Sequence, residues 1–216
     1  MSVAIIDYGS GNLRSAEKSF MRVAQSLEQT RDVCVVNNAD AVAQAEAIVL
    51  PGVGAFADCM AGLAAIDGLC EALDYRVRQC GRPFLGICVG MQLLFTKGLE
   101  EKTTQGLGWL QGDIIPLDII PLDKKPSYKI PHMGWNEINI NKPHKVFNAL
   151  DGKHGYFVHS YCAAPADEAV VYGTCDYGTP LVACVAQDTF CGTQFHPEKS
   201  QSVGLQFIKD FLAWRP

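Results

Sequence analysis

The sequence predicts an α/β fold: one domain over residues 1–216, with a central, mostly parallel sheet flanked by helices and an antiparallel extension on that sheet. Three observations predict it. Short, unbroken apolar runs at residues 3–7, 47–50 and 83–87 read as strands buried on both faces. Stretches with helical spacing lie between the runs, the alternation that builds crossovers and a parallel sheet. From Trp109 to about Val185 the pattern changes to short runs punctuated by Pro and Gly, which reads as antiparallel strands.

The elements follow in order. After the first strand, Tyr8-Gly9-Ser10-Gly11-Asn12 is a turn. Leu13, Ala16, Phe20, Val23, Ala24 and Leu27 then recur at helical spacing, with Asn12 as the expected N-cap. Residues 33–36 form a second strand. The third strand, residues 47–50, closes in the turn Pro51-Gly52-Val53-Gly54. One long helix is expected over residues 56–79, then a fourth strand over 83–87. In the second half, residues 136–140, 156–160, 169–174, 181–186 and 191–195 read as strands, with "CDYGTP" and "AQDTF" as hairpin turns. A last helix covers about residues 201–214, with Val203, Phe207, Ile208, Phe211 and Leu212 on its apolar stripe. The doubled "PLDIIPLD" at 116–123 belongs to no longer period and reads as loop.

Composition narrows the function classes. With 216 residues, 48% hydrophobic and 19% charged, the chain is large enough to bury its own core without disulfide or metal staples. A net charge of −5 argues against nucleic acid or an anionic membrane as partner. The basic pairs at Lys124-Lys125 and within residues 142–145 read as solvated loop charge. The N-terminal "MSVAIIDYGSGN" has no basic leader, and no apolar run approaches the ~20 residues that span a bilayer. Nine cysteines, an odd number with no C-x-x-C pair, disfavour a disulfide framework or a zinc ribbon. The expectation is a reduced, cytoplasmic protein with no metal and no cofactor. Most of its thiols, Cys34, Cys175 and Cys184 among them, would be small core fillers.

The chemistry concentrates at Gly86-Ile87-Cys88-Val89-Gly90, where a strand becomes a helix. A nucleophile between two glycines at such a junction is the nucleophile-elbow pattern, with Cys in the usual place of Ser. The turn must be strained to project the sulfur, and side chains at Gly86 or Gly90 would collide with the strand–helix junction. A helix starting near Val89 aims N–H groups and its positive end at the sulfur, and the Val89 N–H is placed to hold an oxyanion. The same five residues also fit a structural cysteine at a strand end.

A nucleophilic thiol needs a base. His144 and His154 sit in polar turns, and His132 and His159 fit core or interface positions. His196, in "TQFHPEKS", ends a strand, and Pro197 fixes a turn that curls Glu198 toward it. A carboxylate on one imidazole nitrogen leaves the other to serve the thiol. Taken alone, H-P-E also reads as a surface turn before a helix. Joined to the elbow in a fold whose strand C-termini share one edge, it makes a Cys88–His196–Glu198 constellation. Gly52 and Val53 follow another buried strand, so their turn lies beside the elbow and offers a second oxyanion donor. Gln92, one helical turn past Cys88, faces the same space or is an ordinary polar helix residue.

These residues together resemble the class I (triad) glutamine amidotransferases, over nearly the whole chain. Within that class the match is to the branch of glutaminase subunits in histidine biosynthesis. It rests on "IIDYGSGNLRS", "LPGVGAF", "LGICVGMQLLF", "PHMGWN", "YFVHSY" and "FHPEKS". The resemblance implies that Cys88 attacks the side-chain amide of L-glutamine, with His196 shuttling protons and Glu198 orienting it. It implies an oxyanion hole from Val89, Gly52 and Val53, the turn reorienting first under the partner's control. Gln92, His159, Ser160 and Tyr161 would position the glutamine main chain. The partner implied is a TIM-barrel cyclase that uses the ammonia to make imidazole glycerol phosphate and releases an aminoimidazole carboxamide ribotide. Its docking face would include Asn12, Met133, Gly134, Trp135, Tyr156 and Lys199. Trp135 also reads as a core residue on a strand edge. The rival readings are a triad glutaminase for an anthranilate, guanylate or pyridoxal phosphate pathway, a stand-alone cysteine hydrolase of the same fold, and a thiol redox sensor.

Overall fold

The computed structural model describes residues 2–27, 31–119 and 128–216, so Lys124-Lys125 and part of the 116–123 repeat lie outside the described residues. The strongest apolar runs become the middle of a nine-stranded mixed sheet. Its strands are β1 (Ser2–Ile6), β2 (Asp32–Val36), β3 (Ala47–Gly52), β4 (Phe84–Cys88), β8 (His132–Ile140), β9 (Lys153–His159), β11 (Val171–Asp176), β12 (Pro180–Gln187) and β13 (Phe190–Thr193). They are ordered β2-β1-β3-β4-β13-β12-β11-β8-β9. The first five in that order run parallel and the remainder pair antiparallel, which is the expected extension. Every residue of β3 and β4 is buried, as two-sided coverage requires.

The flanking helices are α1 (Leu13–Gln25), α2 (Ala39–Gln44), α3 (Phe56–Ala64), α4 (Leu69–Asp74) and α6 (Gln201–Ala213), with a one-turn α5 (Val89–Gln92). Helices α1 and α6 meet edge-on through Phe20 and Phe211, ring centroids 6.3 Å apart. Among the described residues no helix is long and apolar enough to cross a membrane.

Several expectations are corrected. The single helix over 56–79 is two helices and a π-helical turn at Tyr75–Gln79. Gly68 takes φ +69° between α3 and α4, which no helix interior accepts. The apolar spacing survives the break because Leu63, Leu69, Leu73 and Val77 all enter the same core. Asn12 stands at the N-cap position of α1, and its carbonyl accepts from Ala16 N–H, but its side chain caps nothing. Cys34 is exposed, not a core filler, because β2 is the outermost strand and has one neighbour only; Cys175 and Cys184 are buried as expected. The strand expected from residue 169 begins at Val171, after a 3₁₀ turn at Glu168–Val170. The third strand runs on through Pro51 and Gly52 before the turn.

A second, four-stranded sheet, ordered β10-β7-β5-β6, is made by β5 (Phe95–Leu99), β6 (Thr103–Gln105), β7 (Leu110–Pro116) and β10 (Tyr161–Pro165). The strand expected over 156–160 therefore ends in a junction. His159 ends β9 in the large sheet, Ser160 bends, and Tyr161 opens β10 in the small one. Apolar side chains from both sheets, Phe157 and Ile114 for example, belong to one continuous core.

Candidate active site

Cys88 is the last residue of β4, between neighbours fixed by register. Gly52 of β3 lies beside it on one side, and β13, whose Thr193 pairs with Ile87, leads into Gln194 on the other. Its backbone has φ 54° and ψ −114°, a conformation costly for any non-glycine residue and held only because the surroundings determine it. The flanking glycines answer to close approach. A Cβ on Gly90 would stand 1.9 Å from the Leu50 carbonyl oxygen, and one on Gly86 2.5 Å from the Gly90 oxygen. The helix that follows is one turn, because the chain enters β5 three residues later.

His196 and Glu198 reach the sulfur from beyond β13. Glu198 accepts from His196 Nδ1 at 2.7 Å, with both side chains almost wholly buried. Cys88 is the ring's other hydrogen-bonding and electrostatic neighbour. Burial works to lower the His196 pKa, but the hydrogen bonds to Cys88 and Glu198, with their charges, outweigh it and push it up to about 9. The second Glu198 oxygen has no hydrogen-bond partner among the described residues, so the carboxylate is spent on the ring. The turn is clamped by Ser200, which is fully buried. Its Oγ donates to the His196 carbonyl at 2.6 Å and accepts from Tyr156 N–H at 3.0 Å, while His196 N–H donates to the Tyr156 carbonyl.

A cavity of about 700 Å³ opens over this series, lined by Cys88, Val89, Gln92 and the 158–161 bend, with Lys199 at its edge. The thiol lies 4.0 Å from the Val158 carbonyl. His159 and His132 are buried and linked, Nε2 to Nδ1, at 2.9 Å. Because His159 Nδ1 donates to the Tyr161 carbonyl at 2.8 Å, its Nε2 accepts, and His132 must donate. Burial, then each ring's histidine neighbour, lowers both: His132 to about 3 and His159 to about 4, the latter against a raising bond to Tyr161. Both are neutral at pH 7, which resolves them as satisfied core histidines with His159 also facing the cavity.

The Gly52–Val53 turn is not free. Ser10 Oγ donates to the Val53 carbonyl and accepts from the Val53 N–H at 3.4 Å, and Cys59 Sγ lies 3.2 Å from the same hydroxyl. Tyr8 Oη holds the Pro51 carbonyl at 2.8 Å. Ser10 was legible only as part of a turn. Nothing in "DYGSGN" says which carbonyl forty-three residues away it meets.

Of the other expected residues, Trp135 and Tyr156 face one another across the β8–β9 pair, ring centroids 5.9 Å apart, with Lys199 Nζ 5.9 Å from the Tyr156 ring. Trp135 is 47% and Met133 61% exposed, which rules out the core reading of Trp135. Gly134 between them takes φ +133°, and Asn12 stands at the N-cap position of α1. Among the described residues no group of three or more His, Cys, Asp or Glu side chains is placed to hold a metal ion.

A thiol, an imidazole and a carboxylate in series on a strand–helix elbow of a mixed α/β sheet are the arrangement of a triad-type hydrolase, and the family is shown by comparison: the chain belongs to the "Glutamine amidotransferase class-I" family, which matches residues 4–214. It is a glutamine amidotransferase. Its relatives are more particular. It is 54% identical over 220 residues to the imidazole glycerol phosphate synthase subunit HisH of Bradyrhizobium diazoefficiens, and 50% to that of Rhodopseudomonas palustris, each chain covered in full. In fold it is similar to a glutamine amidotransferase crystal structure at TM-score 0.69, with 17% identity over 97% of this chain and 98% of that one. A second, from Thermotoga maritima, matches at TM-score 0.57 with 15% identity, covering 99% of this chain and 83% of the other.

Proposed function

We propose that this chain is the glutaminase subunit of an imidazole glycerol phosphate synthase. It hydrolyses L-glutamine to glutamate and ammonia through a cysteinyl thioester and delivers the ammonia to a TIM-barrel cyclase subunit in histidine biosynthesis. The observation that carries the reading is the buried Cys88–His196–Glu198 series under an open cavity, in a chain about half identical to HisH subunits from end to end.

The chemistry follows from the geometry. The His196 ring, pushed up to about 9, takes the thiol proton and leaves a thiolate beside an imidazolium. The sulfur attacks the amide carbon, and the carbonyl electrons move to oxygen. Val89 N–H donates to that oxyanion, and Val53 N–H is the second donor. In the resting structure Val53 N–H is bound to Ser10, so the Gly52–Val53 peptide must turn before both donors act. When the C–N bond breaks, its electrons stay on nitrogen and the imidazolium proton completes ammonia. Neutral His196 then deprotonates water, hydroxide attacks the thioester, and the thiolate leaves with glutamate formed. Glu198 holds the ring in the tautomer that serves the sulfur. Gln92, His159, Ser160 and Tyr161 line the place where the glutamine main chain binds.

Ammonia in bulk water becomes ammonium, which is not nucleophilic, so the consumer must cover the site of release. Asn12, Met133, Gly134, Trp135, Tyr156 and Lys199 form the docking face in this reading, and Lys199 also lines the cavity. A reducing cytoplasmic setting accords with nine free thiols. The test is Cys88→Ser in complex with the cyclase. Glutamine-dependent synthesis is lost, docking is unchanged, and added ammonium salts restore synthesis. Glutamine turnover retained by Cys88→Ser or Cys88→Ala refutes the nucleophile; loss of docking or failed rescue refutes the division of labour between subunits.

A further inference from the structure

Gln194 is wholly buried, does not line the cavity, and has a primary amide whose every polar atom needs an account. Its Oε1 accepts from Gln92 Nε2 at 3.0 Å, and its Nε2 lies 3.7 Å from Cys88 Sγ. The direction of each bond is forced from one end. The Tyr161 carbonyl can only accept, so the Gln92 atom 3.2 Å from it is nitrogen. That nitrogen also meets Gln194, so the Gln194 atom facing it is oxygen. The remaining Gln194 atom, the one facing the sulfur, is therefore the N–H₂ donor. The Tyr161 carbonyl also takes the His159 Nδ1 proton, which fixes the anchor twice.

From this chain of bonds we infer that Gln194 is a further catalytic residue: its amide donates to the Cys88 sulfur from the protein side and stabilises the thiolate, held in that orientation by the relay Tyr161 carbonyl–Gln92–Gln194. The inference rests on Cys88 being the nucleophile. A donor aimed at the charged form of an acid favours that form, and a buried amide that cannot rotate costs no reorganisation when charge appears. Register explains why this residue has the task. With Thr193 beside Ile87, the next residue of each strand brings Gln194 level with Cys88, opposite Gly52. The sulfur thus has an imidazole and an amide as partners, and both come from "TQFHPE".

The experiment follows alkylation of Cys88 by iodoacetamide as a function of pH in the full chain, read on the Cys88 peptide by mass spectrometry. Glutamine turnover with the cyclase is measured alongside. The titratable groups electrostatically coupled to the sulfur are His196 from the turn after β13, Tyr8 from the loop after β1 and Cys59 from α3, and every variant keeps all three. In Gln194→Leu the alkylation profile moves upward by about one pH unit and kcat falls about tenfold with KM little changed, the loss of one donor to a charged group. In Gln194→Glu it moves further, since a carboxylate opposes the thiolate. Gln92→Leu, which leaves Gln194 in place but unties it, moves the profile the same way by less, and stands in should Gln194→Leu fail to fold. Profiles unchanged in these variants, with wild type active, overturn the role of Gln194 alone. Wild-type Cys88 that alkylates no faster than exposed Cys34, without glutamine turnover, overturns the nucleophile and this inference with it.

Discussion

His196 is the residue on which opposing effects are decided by size. Burial alone would leave the ring neutral at pH 7, as it leaves His159 and His132. Two hydrogen bonds and two adjacent charges reverse the outcome. The folded pKa, about 9, lies above the ordinary 6.5, so the pairing stabilises the fold fully below 6.5 and that stability is lost as pH rises through about 9. In the proposed mechanism the same proton goes to the departing ammonia. The kcat/KM for glutamine therefore holds up to about pH 9 and declines above it. Glu198→Gln removes one of the raising causes, so its alkaline limb moves to lower pH, and turnover falls roughly 100-fold, less than in Cys88→Ala. A pH–rate series on the three proteins checks this; an alkaline limb that stays in place in Glu198→Gln refutes the coupling.

Among elements, place in the sheet decides what a residue costs, and it also decides what could be read in advance. Cys34 and Cys184 both sit in apolar runs, yet β2 is an edge and β12 is covered on both sides. Cys34→Ser changes stability by no more than about 0.5 kcal/mol, while Cys184→Ser, which buries a hydroxyl among apolar neighbours, costs about 1–3 kcal/mol. Urea unfolding of both variants measures the difference, and equal losses refute the edge argument. The runs at β1, β3 and β4 were legible because two-sided burial leaves no polar alternation to confuse. The small sheet was not, since Thr103–Gln105 is short and polar and β5 follows the elbow with the same apolar residues a helix would use. Cys88, His196 and Glu198 could be singled out because each lies in a short stretch of specific chemistry, G-x-C-x-G and H-P-E, and a parallel sheet brings two such stretches, far apart in the chain, to one edge. Gln194, Ser10 and Val158 were not, because each acts through a neighbour that only strand order brings to it.

In the molecule as a whole, the candidate catalytic turn and the proposed docking face share one structural connection. Tyr156 is paired with Trp135 on the proposed docking face, and its backbone bonds His196 and Ser200, the clamp of the catalytic turn. The exposed side chains of Met133 and Trp135 alternate along β8 and so project from one face of the sheet. A large aromatic left half exposed against Tyr156 is the kind of residue whose burial dominates an interface. Trp135→Ala therefore raises the Kd for the cyclase about 30-fold, some 2 kcal/mol, while the free subunit keeps its melting temperature and its Cys88 alkylation rate. In the proposed reading docking also covers the place where ammonia leaves, so the variant complex at saturating cyclase loses more ammonia to solvent per glutamine hydrolysed than wild type does. Titration calorimetry gives the first quantity, and the ratio of glutamate to imidazole product gives the second. An unchanged Kd would place the cyclase on another face of the molecule. A weakened Kd with an unchanged product ratio would keep the face but separate anchoring from the sheltering of ammonia.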